Sequence, residues 1–95
     1  MEQLERIKRM ERNLDQAISA VTSLQNALEH YVAVQPQIRE LMAYYDSGDW
    51  LKDYDDDCAG KLPRDLKRGV LSEDAVYDLS TELTSLRSLL NVLAR

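Results

Sequence analysis

One cysteine, one histidine, two prolines and three glycines are all that the 95 residues hold of those types. A lone cysteine cannot build a disulfide framework, and this points to a reducing cytoplasm. The glycines Gly48, Gly60 and Gly69 stand far apart, so no glycine-rich phosphate loop is present. No apolar run approaches the ~18 residues of a membrane-crossing helix. The first residues, with Glu2 and Glu5, do not resemble a signal peptide. Basic residues are too few: 12 against 17 acidic ones leave a net charge of −5. That balance argues against unaided binding to a phosphate backbone, which needs clustered Lys and Arg. Internal repeats, low-complexity tracts and Gly/Ser linkers are absent too.

What is present is a pattern. Apolar residues make up 44% of the chain and charged residues 31%, a composition of neither a disordered chain nor a membrane span. The length suits one domain over residues 1–95 with a modest core. Ile7, Leu14, Val21 and Leu28 recur every seven residues, each followed three residues later by Met10, Ala17, Leu24 or Tyr31. This is the a/d stripe of a heptad repeat and predicts a helix over roughly 2–33, about 45 Å long. Leu4, Ile18 and Val32 fall at a third heptad position and widen the stripe, as in a helix with more than one neighbour. Pro36 ends this helix and opens a short second one, marked by Ile38, Leu41, Met42 and Tyr45, with Gly48 as its C-terminal cap. A last helix is expected from an N-cap at Ser72, carrying Val76, Leu79, Leu83, Leu86, Leu90 and Leu93.

The connector between them, Asp49 to Leu71, is chemically mixed. Asp49 is expected to cap a short turn that docks Trp50, Leu51 and Tyr54, and Pro63 to open a helical turn that Gly69 closes. Residues 46–57 hold six Asp against Lys52, whereas 61–68 hold Lys61, Arg64, Lys67 and Arg68 against Asp65. A calcium-loop reading of the Asp run fails. Counting from Asp53, the glycine position is Cys58 and the closing glutamate position is Arg64; counting from Asp55, the closing position is Leu66. A solvated acidic segment facing its basic neighbour is the better reading. His30 lies off the heptad stripe and has no metal-binding neighbour one turn away, while Cys58 reads as a small, partly buried residue in a turn or as a bystander thiol. No catalytic, cofactor or metal residue is therefore assigned.

The order Trp50, Asp53-Tyr54, an acidic run, Gly60-Lys61-Leu62-Pro63, then Asp65 through Asp74 with Tyr77-Asp78-Leu79 resembles a family of small bacterial proteins known only as a domain of unknown function. The resemblance implies a bacterial, cytoplasmic, stand-alone helical protein. It implies no activity, cofactor or substrate.

The expected fold is all-α: an elongated helical bundle with two long heptad-patterned helices, one short helix and a turn-rich connector. The expected function is a non-enzymatic protein–protein interaction module, with a homodimer in view because the first helix outruns the last. An acidic regulator, antitoxin-like or mimicking a nucleic acid, and a small enzyme without a legible active site are the alternatives. No protein partner is named by the sequence, and neither direct nucleic-acid binding nor membrane association is expected. The candidate interaction surface is Trp50, Asp53, Tyr54, Lys61, Asp65, Lys67 and Arg68, because loops on a rigid scaffold commonly carry function.

Overall fold

The computed structural model describes residues 1–94, and every regular element among them is helical: α1 (Glu2–Ala33), α2 (Gln35–Tyr45), α3 (Gly48–Cys58), a single 3-10 turn (Gly69–Leu71) and α4 (Ala75–Leu93). The all-α class expected from the heptad stripes holds. Contacts divide the chain into two units, residues 1–38 and 39–95. Among the described residues no helix is long and apolar enough to cross a membrane.

The first unit is essentially α1, a helix of 32 residues with Glu2 and Glu5 in its first turn, where their charge suits the helix dipole. It ends where the sequence predicts. Val34 closes it by donating to the His30 carbonyl at 3.1 Å. Pro36 has no N–H to offer the Val32 carbonyl one turn earlier, which breaks the ladder there, and the Gln35 side chain donates to the Tyr31 carbonyl at 3.1 Å. Pro36 then sits in the first turn of α2, where a missing N–H costs nothing.

The second unit contains the core, formed by Leu71, Val76 and Leu83. Leu41, Trp50, Tyr54, Leu62, Leu79 and Leu86 are half-buried around it. The 3-10 turn packs against both α3 and α4 and brings Leu71 inward.

Four local expectations are corrected here. Gly48 does not cap α2: the Ser47 hydroxyl donates to the Tyr44 carbonyl at 2.6 Å, and Gly48 is the first residue of α3. The first half of the connector is not a turn but the 11-residue helix α3. It stops at Gly60, whose φ of +74° suits a residue without a Cβ. The Gly60 N–H donates to Asp57 and the Lys61 N–H to Asp56, both at 3.0 Å, which is the paired-bond ending of a Schellman motif. Pro63 opens an isolated turn only, its carbonyl accepting from Leu66 N–H at 3.3 Å, and Gly69 begins the 3-10 turn rather than closing a helix. Finally, α4 starts at Ala75 with Asp74 at the N-cap position. Ser72 is already engaged as the end of the 3-10 turn, donating its N–H to Gly69 at 3.1 Å.

Candidate functional site

α3 presents two faces. Trp50 and Tyr54 are one helical turn apart and stack, centroids 5.2 Å apart, while Tyr45 meets Trp50 edge-on at 5.0 Å. The indole N–H of Trp50 donates to the Val70 carbonyl at 2.9 Å, and the Tyr54 hydroxyl donates to Glu73 at 2.5 Å. Asp53, Asp56 and Asp57, spaced three and four residues apart, share a side of the helix and are half-buried. Each has a partner: Asp53 accepts from the Tyr44 hydroxyl at 2.6 Å, Asp56 lies 3.8 Å from the Lys61 ammonium, and Asp57 accepts from the Arg68 guanidinium. Arg68 also donates to the carbonyls of Pro63 and Leu66, which stitches the 63–68 segment to the C-terminal end of α3. Cations at that end favour both the acidic side chains and the helix dipole.

Of the seven residues singled out from the sequence, Trp50, Asp53, Tyr54 and Arg68 are half-buried and bonded within the chain, and Lys61 is exposed with a single ion pair to Asp56. Asp65 and Lys67 are exposed, and among the described residues they make no hydrogen bond or ion pair. Asp53 is held by Tyr44 rather than by a lysine. The partners on the far side of these bonds, Tyr44, Val70 and Glu73, carry no sequence signal for the role, since pairs separated by 20 and 19 residues leave no local pattern. Cys58 is not partly buried in a turn; it is the exposed last residue of α3. His30 is exposed on α1, as expected for a position off the stripe. Among the described residues no three His, Cys, Asp or Glu side chains converge as a metal site.

The bond to Asp53 is the main cause that pushes the Tyr44 phenol up from 10.0 to about 12, with slight desolvation and the charges of Asp53 and Asp49 adding to it. Tyr54 is also raised, first by its bond to Glu73 and then by Cys58. A phenol with a higher pKa folded than unfolded contributes stability that is complete below the unfolded value and lost as pH rises through the folded one. The stabilising margin of the wild type over Tyr44→Phe, measured by thermal melts followed by circular dichroism, is thus expected to hold below pH 10 and to shrink between 10 and about 12. A margin that stays constant through that window would show that the Tyr44–Asp53 bond does not form.

Two shallow grooves border the exposed Lys67 and Val70. One, of about 400 Å³, runs past Leu41, Val76 and Leu79; the other, of about 330 Å³, past Tyr44, Leu62 and Leu71.

A larger apolar surface lies on α1. No residue of this helix is buried. Leu4, Ile7, Met10, Leu14, Ile18, Val21, Leu24 and Val32 are 47–67% exposed, and only Leu28 and Tyr31 reach half-burial. The stripe read from the sequence as a packing face is thus an open face about 42 Å long at 1.5 Å per residue. Its C-terminal half forms a groove of about 570 Å³ along Val21, Leu24, Leu28 and Val32. Charge is confined to the ends of the helix: residues 16–28 contain none.

Comparison with known proteins gives one family match, to a domain of unknown function (DUF4298), over residues 7–91. No curated protein matches the chain. No solved structure matches it either.

Proposed function

This chain belongs to the family described as a domain of unknown function, DUF4298, and we propose that it is a non-enzymatic protein–protein interaction module whose docking surface is the apolar face of α1. The observation that carries the proposal is the exposure of that face along its whole length. Scattered exposed apolar residues are ordinary, but a continuous stripe on a long helix marks an interaction surface. The partner element is another amphipathic helix, packed through the same a/d geometry as a coiled coil. The site of action is the cytoplasm, in keeping with a single, exposed, unpaired cysteine.

In this proposal the segment 50–69 is scaffold, because Trp50, Asp53 and Tyr54 are spent on bonds to the Val70 carbonyl, Tyr44 and Glu73. Catalysis is not assigned: His30 and Cys58 are each exposed, on different helices, and among the described residues neither is bonded to the other or to a carboxylate as a nucleophile–base pair requires. The acidic-regulator reading is weakened by the cations that already cover Asp56 and Asp57.

An isolated helix that buries nothing is marginal in water, since nucleation is costly and most helical stability comes from packing. α1 holds more residues than any other helix, 32. Sedimentation equilibrium and the 222 nm signal are therefore expected to move together, with helicity and mass both falling as the protein is diluted from high micromolar to nanomolar concentration. A chain that stays monomeric at high micromolar concentration with undiminished helicity would overturn the assignment.

A further inference from the structure

Resting on the assignment of α1 as the docking face, we infer that its occupant is a second copy of this chain, with the two α1 helices antiparallel and Ile18 beside the two-fold axis. The stripe can meet a second copy of itself in two orientations. In a parallel pair each heptad position meets its own copy. Ala17 would then face Ala17 and leave a gap, while Tyr31 would face Tyr31 and crowd the core at the other end. The third apolar position would be left at the flanks: Ile18 would lie beside Asn13, and Val32 beside Ala27.

An antiparallel pair matches a positions with d positions instead. One register sets all four of each against one another: Ile7 on Tyr31, Leu14 on Leu24, Val21 on Ala17 and Leu28 on Met10. Tyr31 then meets Ile7 instead of a second tyrosine and Ala17 meets Val21 instead of a second alanine, while Leu14 on Leu24 and Leu28 on Met10 fill the other layers, which evens out the packing along the seam. The same register brings the third apolar positions together along one flank, Leu4 on Val32 and Ile18 on Ile18. Sliding by one heptad either way puts Ile18 against Glu11 or Gln25 and leaves stripe residues at one end uncovered. A stripe that is self-complementary in one register over its whole length has a second copy as its natural cover. The symmetry is that of an isologous dimer.

Charge agrees. In this register the charged stretch 2–15 of one helix runs along 23–36 of the other, where Glu29 is the only acidic residue and no Lys or Arg occurs, so no like charges are forced together on the flanks: Glu11 faces Gln25 and Arg6 faces Val34. The parallel pair has one attraction in its favour, Arg6 with Glu11 of the partner helix, but an exposed pair of this kind contributes little. The footprint, about 42 Å by 10 Å on each helix, comes to about 840 Å² over the pair, the size of a weak, concentration-dependent association.

Disulfide trapping reads the orientation directly, because a bridge needs Cα atoms within about 7 Å. Leu14→Cys and Leu24→Cys are made as separate chains on a Cys58→Ser background, which removes the exposed native thiol. They are mixed reduced, left to exchange and then oxidised. The expected product is the mixed 14–24 dimer, several-fold above either self-linked species, since in the antiparallel pair Leu14 lies about 15 Å along the axis from its own copy. A nitroxide on Arg9→Cys, outside the stripe, supplies a second reading that leaves every packing residue intact: its two copies are expected about 30 Å apart along the axis, against no axial offset in a parallel pair. Predominant 14–14 and 24–24 dimers, or closely spaced labels, overturn the inference. A wild type that sediments as a dimer without any cross-link overturns the register and leaves α1 as the docking face; a monomeric wild type with stable helicity removes both.

Discussion

Leu71→Ala is expected to lower the melting temperature of the 39–95 unit by on the order of 10–20 °C, read from the emission of Trp50, the single tryptophan of the chain. Leu71 is one of the three buried residues among those described, at 7% exposure. It sits at the end of the 3-10 turn that packs on both α3 and α4, so its side chain links two helices through a segment of three residues. Removing a buried leucine side chain costs about 2–5 kcal/mol, the lower part of the range applying where neighbours can close over the gap. Here the surrounding residues are half-exposed and can relax, which argues for about 2–3 kcal/mol. A unit of this size is stabilised by only about 3–8 kcal/mol in total, so a large share of its stability goes. The Trp50–Val70 bond at 2.9 Å lies one residue away, and its loss makes the tryptophan a direct witness. A melt within 2–3 °C of wild type, equivalent to less than about 1 kcal/mol, would mean that the three-residue core is not what holds the unit together.

The long helices were legible in the sequence because their information is periodic and local. Ile7 to Leu28 and Val76 to Leu90 repeat at heptad spacing, and Pro36 marks a boundary through the N–H it lacks. α3 was not legible, for an equally physical reason. Aspartate is a poor helix interior residue, and a run of Asp reads as solvated loop. What holds the run as a helix is remote: Arg68 returns to its C-terminal end at Asp57, and Trp50 is tied to Val70 across 20 residues. Ser72 marks the approach to α4 rather than its first turn: its hydroxyl accepts the Asp74 N–H at 3.3 Å, but the 3-10 turn that ends at Ser72 delays the helix to Ala75. The candidate site shows a different limit. Composition drew attention to Trp50, Tyr54, Lys61 and Arg68, and these do make the densest set of specific bonds in the second unit. Composition carries no information about whether such bonds point inward or toward another molecule. Periodicity on α1 has the converse limit: it announces that the face needs a cover without naming the cover.

Placing aspartate at two stripe positions, Leu14→Asp with Leu24→Asp, is expected to abolish association and to melt α1 while leaving the Trp50-monitored transition of the second unit unchanged. In a pair of helices the change removes four leucine side chains from the interface, each contributing about 1.5–3 kcal/mol when buried. At least about 6 kcal/mol is lost on that account, which weakens the dimer by 10⁴-fold or more. Burying carboxylates opposite apolar partners adds a further penalty, so the face opens rather than accommodates them. Without a cover α1 returns to the marginal stability of an isolated helix, and the 222 nm signal should fall by the share that its 32 residues contribute. The second unit should not respond, because neither leucine belongs to it and its core is Leu71, Val76 and Leu83. Ser19→Asp with Asn26→Asp supplies the control: both positions lie on α1 opposite the stripe, add the same charge, and differ little from aspartate in helix propensity. That variant is expected to associate as the wild type does. If both double variants lose association equally, the effect is one of net charge and not of the apolar face. If the stripe variant keeps its mass and helicity, α1 is stabilised by something other than the packing of this face.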